Sequence, residues 1–406
     1  MILYEADGRL GGHSNTVEVA GTPVDTGFIV YNERTYPNLT ELFAHLGVVT
    51  RPSDMSFSVS LDSGRLEYAG SLVGLFAQAR NVASPRFWSM LKDLERFYRR
   101  APRDLQHLGS SSLGEYLDGI GCGAAFRDDH LYPMAAAIWS TPPHKIPDYP
   151  AAAFIRFCEN HGLLRFLNRP AWRTVDGGSR EYVKKLAADV RGEFRLGHGV
   201  TSIARDNRGV EVASDFGAER CDHVVIAAHA DQALALLKDP DLDERRLLGS
   251  FRYRRNQAVL HSDPALMPGR RRIWSSWNYA SEPGERSPQL SVTYWMNRLQ
   301  AIPDDLPLFL TLNPIRPPRA DLIHHRQTYD HPMFDAAASE AQAQLWRLQG
   351  RRSTWFCGSY FGAGFHEDGL QSGLAVAEQL GKIARPWAAP TQPPRIHWPG
   401  RVVEAL

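Results

Sequence analysis

Apolar and polar positions alternate in short runs at the start of the chain, shift to helical spacing from about residue 71, and return to short runs near residue 194. Met1 to Tyr4 reads as the end of a buried strand, Glu5 closes it, and Asp7 to Gly12 form a turn. Thr16 to Val19 and Pro23 to Asp25 read as two further short strands. Tyr36 to Leu46 carries helical periodicity with Gly47 as its stop. Residues 56–69 alternate like a hairpin around Asp62, Ser63 and Gly64. Residues 71–165 are mainly helical, and Gly177-Gly178 precedes a helix running to about Ala188. Phe194 to Ile203, Val210 to Ser214 and His223 to Ala228 read as three strands, and residues 250–315 are strand-rich and aromatic. Thr354 to Cys357 is a last strand, leading through a glycine-rich loop into a helix over about 369–380. The pattern repeats nowhere.

This order predicts an α/β protein whose nucleotide-binding segments are dispersed. Residues 1–60, 171–235 and 336–385 would form one discontinuous domain. Residues 61–170 and 236–335 would form an inserted, mixed α+β substrate domain, and 386–406 an extended, proline-bearing tail. A ligand is expected at the junction. The 406 residues suffice for two cores, and a net charge of +1 gives no reason to expect nucleic acid. Four dispersed cysteines without a CxxC pair suit a reduced, cytoplasmic setting and form neither a zinc site nor a disulfide framework. No run reaches the roughly 18 apolar residues of a membrane span, so only a peripheral membrane contact stays open. Glu5 and Asp7 interrupt what would be the core of a signal peptide.

Two motifs carry chemistry. In Glu5-Ala6-Asp7-Gly8-Arg9-Leu10-Gly11-Gly12, an acid ends a strand where a dinucleotide fold binds a ribose hydroxyl, and paired glycines let amides approach a phosphate or ring. The plainer alternative is a tight turn. Gly358 to Gly369 joins a strand to a helix whose N-terminus offers unpaired amides. There Asp368 could simply cap the helix. Gly119 to Ala124 fits GxGxxG formally, but it follows a helical stretch and reads as a helix–helix turn.

These two blocks resemble the post-strand and C-terminal flavin motifs of the FAD-dependent amine oxidase and phytoene desaturase superfamily. Asp176-Gly177-Gly178, Val200 to Ile203 and His223 to Ala228 fall in the superfamily's order. Tyr294 to Leu299, Thr311 to Pro314 and Gly364 to Gly369 are similar to one bacterial predicted NAD/FAD-binding, amine oxidase-like subfamily. The resemblance implies a Rossmann-like FAD-binding domain and FAD as cofactor. It implies that Glu5 binds the adenosine ribose, and that Arg9, Gly11 and Gly12 line the pyrophosphate and flavin side. Val200 would meet the adenine through its backbone, and Asp368 would sit near the pyrophosphate or ribityl chain. The isoalloxazine would lie near Gly27 and the turn of Gly364, Phe365, His366, Asp368 and Gly369. The chain departs from the pattern in one place. The ribose acid should follow the start of GxGxxG by about 20 residues. Here it is residue 5, so the expected domain is N-terminally truncated, through a start placed too late or a real loss that would impair FAD binding.

No GxSxG, P-loop, HExxH or metal spacing occurs, and His324-His325 reads as a solvated loop pair. His13 stands where many relatives carry Arg, Cys357 gives no reason to expect a covalent flavin, and no acid–base residue is assigned. Trp139, Trp172, Trp274, Trp277, Tyr294 and Trp295 favour an apolar substrate as a set, though each alone fits core packing. Arg51, Arg173 and Arg298 could meet an anionic head group or form surface salt bridges. The expected function is oxidation or desaturation of an apolar, lipid-like small molecule by hydride transfer to flavin. The alternatives are a flavin amine oxidase and a truncated, inactive paralogue.

Overall fold

The computed structural model describes residues 1–109, 111–139, 142–165, 169–282, 291–388 and 395–398. Most of the expected tail, and part of the strand-rich block, lie outside them. The strand Ile2–Glu5 pairs in parallel with Glu193–Leu196, and Val224–Ile226 pairs in parallel with Thr354–Phe356. These short parallel pairs lie in the segments expected to form the discontinuous domain. Phe194 to Ile203, expected as one strand, is two: Gly197 at φ +74 turns the chain between Glu193–Leu196 and Val200–Asp206. Val200–Asp206, Gly209–Ser214 and Gly217–Cys221 form a separate antiparallel sheet.

The largest sheet has seven strands in the order Ile323–Met333, Arg252–His261, Phe309–Leu312, Ser291–Trp295, Trp277–Ala280, Phe57–Leu61 and Leu66–Ala69. All neighbours are antiparallel except Trp277–Ala280 beside Phe57–Leu61. The hairpin forms as expected because Asp62, Ser63 and Gly64 all take the positive φ its turn requires. His324 and His325 are not in a loop. They lie on Ile323–Met333, and His324 Nε2 bonds Ser262 Oγ at 2.7 Å.

One face of this sheet buries Val59, Tyr279, Val292 and Leu310. Beside it, the helices Pro85–Asp104, Leu113–Gly119, Tyr132–Trp139 and Ala151–Asn160 close a second core around Phe97, Phe126, Phe154 and Cys158. Gly119 to Ala124 is the helix–helix turn expected, with Gly121 at φ +70. A third core joins the strand pair Val224–Ile226 and Thr354–Phe356 to the helices Ala230–Leu236 and Leu242–Leu248. The described end of the tail packs onto it: Ile396 is buried and Trp398 lies against Phe361.

Candidate functional site

The opening turn is tied to the strands behind it. Ser14 N–H donates to Gly11 O and Phe28 N–H to His13 O, each at 2.8 Å. A Cβ on Gly11 would come within 2.6 Å of Ser14 O, so that glycine is needed for the turn itself. A Cβ on Gly12, at φ +53, would meet nothing, so this backbone stays open to a ligand. Arg9 closes the turn by donating to Gly12 O at 2.8 Å. Glu5 accepts Asp7 N–H at 2.9 Å through Oε1. His198 N–H donates to Glu5 O and Gly197 N–H to Asp7 O, both at 2.9 Å, so the turn before Val200 lies against Glu5.

At the other end, the helix His366–Gly381 starts three residues before the position read from sequence. Asp368 is fully buried, accepts Phe365 N–H at 2.9 Å, and faces Arg395 Nε at 2.8 Å. Burial raises its carboxyl pKa against the pull of Arg395. Asp368 therefore serves as the helix cap that the plainer reading gave it. Glu367 is spent likewise: it accepts the backbone N–H groups of Asn38 and Leu39 at 3.1 and 3.0 Å, at the start of the helix Pro37–His45. Asp368 and Gly369 N–H donate to Phe365 O at 3.0 and 3.2 Å, which leaves the His366 and Glu367 amides at the helix start without a helical acceptor. His366 stacks on Phe28 with centroids 4.1 Å apart and bonds Tyr182 through Nε2. Gly27 lets two segments touch, since a Cβ there would lie 2.0 Å from His13 O. Gly364 passes under Phe334, whose ring a Cβ would meet at 2.8 Å, and Gly369 packs on Ser359.

His13, Gly27, Phe28, Gly364, Phe365 and His366 face a cavity of about 1040 Å³. All six aromatic residues singled out from the sequence line it. Of the three arginines considered for an anion, Arg51 pairs with Asp176 at 3.3 Å and Arg173 with Glu33 at 3.8 Å. Arg298 lines the cavity with Arg271 and Arg272, and among the described residues none of these three has a carboxylate within 4.0 Å. All three are exposed, which places them at the cavity mouth. Among the described residues Asp54 is the one acid in the lining; burial opposes its charge, but bonds from Ser276 and Ser56, with the charge of Arg298, hold its pKa low.

Three histidines that the sequence reading did not single out also line the cavity: His130, His161 and His331. His161 Nδ1 lies 2.9 Å from Phe157 O, and a carbonyl can only accept, so Nδ1 carries the proton. Tyr68 donates to Asp129 O at 2.8 Å, so His130 Nδ1, at 2.9 Å, donates to the Tyr68 oxygen. In both rings Nε2 is left as a buried acceptor without a partner. Burial lowers His130 to about 4 and His161 to about 3, so both are neutral at pH 7. His331 is fixed in the opposite sense. Gln257 N–H donates to Asn313 Oδ1, Asn313 Nδ2 to Asn256 Oδ1, and Asn256 Nδ2 to His331 Nδ1 at 2.8 Å. Its Nε2 therefore carries the hydrogen. The only sequence signal for His130 and His161 was a polar residue on an apolar helical face.

The residues fit a flavin dinucleotide. Gly12 leaves backbone open, Glu5 has a second oxygen not engaged by Asp7, and unpartnered His161 Nε2 stands beside Phe365 in an aromatic-lined space. That space reaches the top of the roughly 300–1,000 Å³ usual for a small-ligand site, enough for a ring system and a substrate together.

The model of the flavin containing amine oxidoreductase family matches residues 1–381. A curated relative from Mycobacterium tuberculosis, "Putative flavin-containing monoamine oxidase AofH", is 26% identical over 254 residues, or 60% of this chain and 54% of the relative. The chain thus spans about half the length of the curated relatives it matches. A CLA-producing fatty acid isomerase from P. acnes superposes with TM-score 0.65 at 13% identity, covering 93% of this chain and 97% of that one. Cyclohexylamine oxidase from Brevibacterium oxydans superposes with TM-score 0.66 at 17% identity, covering 93% of each chain. At these identities the structures speak for the fold alone.

Proposed function

Because the chain belongs to the family of flavin-containing amine oxidoreductases, we propose that it is an FAD-dependent oxidoreductase acting on an apolar small molecule with an anionic end. The cavity carries the reading: fifteen aromatic residues line it, Arg271, Arg272 and Arg298 stand at its mouth without a salt bridge among the described residues, and Asp54 is the one acid among its described lining residues. Burying an acyl or isoprenoid-like chain is favourable by about 0.8 kcal/mol per methylene. The arginines would hold a carboxylate at the surface while the chain points inward.

In this reading residues 1–60, 171–235 and 336–385 hold the cofactor, and 61–170 with 236–335 hold the substrate. Glu5 takes the adenosine ribose, Val200 the adenine, and Arg9, Gly11 and Gly12 the pyrophosphate side. Gly27 and the Gly364–Gly369 turn face the flavin ring, with Asp368 setting that turn. FAD, when bound, supplies a two-electron acceptor. The aromatic walls exclude water and orient the chain, and the neutral His130 and His161 offer lone pairs to substrate hydrogens.

An amine is the second reading. Tyr36, Phe157, Trp172 and Phe365 surround His161, and such rings attract ammonium groups. The arginines oppose it. Anaerobic bleaching of the FAD-loaded protein separates the two. Linoleate, with its weak doubly allylic C–H bonds, should bleach the flavin, and spermidine should leave it yellow. Bleaching by spermidine alone would reverse the order.

A further inference from the structure

Between Gly70 and Trp88 the chain leaves the seven-stranded sheet in two tight turns, Leu72–Leu75 and Ala79–Asn81. Leu72, Val73, Phe76, Val82 and Trp88 are exposed here, at 79, 73, 37, 54 and 48%. Fifteen large apolar side chains are exposed among the described residues, and these five fall within one short stretch while the others scatter from Met1 to Ile383. The stretch is built, not loose. Trp88 Nε1 donates to Val82 O at 2.8 Å, and the Phe76 ring sits 5.9 Å from Trp88 and 6.2 Å from Phe87. Ser71 caps Leu72–Leu75 by accepting Gly74 N–H at 3.0 Å.

Its position gives it meaning. Ala69, Gly70 and Ser71, immediately before it, line the cavity. The turn Arg271–Ile273 packs against Leu72–Leu75, bringing Arg271 and Arg272 to the same edge; both are exposed and have no carboxylate within 4.0 Å among the described residues, and Arg271 lies over the Trp274 ring. We infer that residues 72–88, with Arg271 and Arg272, dock the cavity mouth onto an anionic lipid bilayer. Apolar tips enter the acyl boundary while arginines meet acidic headgroups, the division of labour of interfacial segments. A protein partner seated there would close the mouth. A bilayer covers the same side chains and leaves a lateral path for an apolar substrate. This last point rests on the proposed substrate class; the docking itself does not need it.

The test is co-sedimentation of the full chain with phosphatidylcholine vesicles, with and without phosphatidylglycerol and free of any substrate. The chain should bind the phosphatidylglycerol vesicles, and salt should weaken the binding. The double variant Leu72→Asp, Val73→Asp should lose about tenfold or more in partition. Its circular dichroism and melting temperature should match those of the parent chain, which shows that it is folded. Arg271→Glu with Arg272→Glu should remove the preference for phosphatidylglycerol. No binding to either vesicle, or equal binding by the Leu72/Val73 variant, would overturn the inference. So would a dimer in solution that this variant dissolves, since a second copy would then cover the patch. Failure of the substrate reading shows separately, as absent bleaching without vesicles.

Discussion

The seven-stranded sheet and the proposed dinucleotide half hold together by different means. The sheet runs through strands of 10 and 11 residues, Arg252–His261 and Ile323–Met333, and buries Val59, Leu260, Tyr279, Val292 and Leu310 at 1% exposure or less. The dinucleotide half has two parallel pairs of three or four residues, and leaves Ile2, Leu196 and Val225 exposed. Charged clasps hold it. Arg205 is fully buried between Glu244, at 2.5 and 2.9 Å, and Asp239, at 3.1 Å. Tyr4, Arg195 and Glu219 join three strands, and Arg395 holds Asp368. Apolar packing tolerates small errors of geometry, whereas a buried ion pair fails when one partner is removed. The first half should therefore stand by itself, and the second should depend on complete polar partnerships and on its proposed cofactor.

Acid should divide the two most strongly. Burial depresses His13, His130, His331 and His366 to about 4 and His161 to about 3, and all five line the cavity where the halves meet. Their folded pKa values lie below the unfolded 6.5. The stability they contribute is complete above pH 6.5 and is lost as pH falls toward their folded values. Asp25 acts in the opposite sense: burial raises it to about 6, so its contribution is present below about pH 4 and lost as pH rises through 6. Asp128, Glu367 and Asp368 are raised too and act with Asp25, but the five cavity imidazoles, together with His261 at about 4, outnumber these four carboxyls, and each imidazole costs up to about 1.4 kcal/mol per pH unit. The melting temperature should fall steeply from pH 6.5 to 5. Hydrogen exchange should show the cavity-facing segments opening before Arg252–His261. Opening of that strand first would break the comparison.

Arg205→Ala tests the clasps directly. It leaves Glu244, itself buried, without its guanidinium, and removal of one member of a buried pair costs about 3–5 kcal/mol. Urea unfolding of the variant should show that loss, with faster exchange in Val200–Asp206 and unchanged exchange in Phe309–Leu312. A loss below 1 kcal/mol would mean that the dinucleotide half stands on its apolar core after all.

The sequence showed what local chemistry decides. Asp62, Ser63 and Gly64 announced a turn, and Glu5 marked the end of a strand. Partners far along the chain were not visible. Ile323–Met333 reads as polar because alternate residues such as His324 and Arg326 face solvent along the sheet's edge. Gly217–Cys221, mostly exposed, gave no apolar face to read. Glu67 looked like an ordinary hairpin position, yet it is buried on Arg270 Nη1 at 2.5 Å, a partner two hundred positions away. His130 and His161 carry no motif at all; their roles follow from which carbonyl or hydroxyl each Nδ1 meets.

The same lesson sets the control for the finest test, which is Glu5. Its carboxylate stands at the end of the first strand, where a ribose would meet it, and Asp7 N–H engages Oε1. Glu5→Ala should therefore weaken FAD binding to the apoprotein by about 1.5–3 kcal/mol, the range for a hydrogen bond to a charged group, and leave the fold intact. Glu67→Ala cannot be the comparison, because it would strand Arg270 and open the buried edge of the hairpin. Glu41 is exposed on the helix Pro37–His45 and gives the matched loss of charge without a buried partner. Titration of FAD by fluorescence quenching should separate Glu5→Ala from Glu41→Ala by about tenfold or more. Equal affinities would remove Glu5 from the site. The dinucleotide would then be held by the open backbone around Gly12 and the start of His366–Gly381, without the carboxylate that ends the first strand.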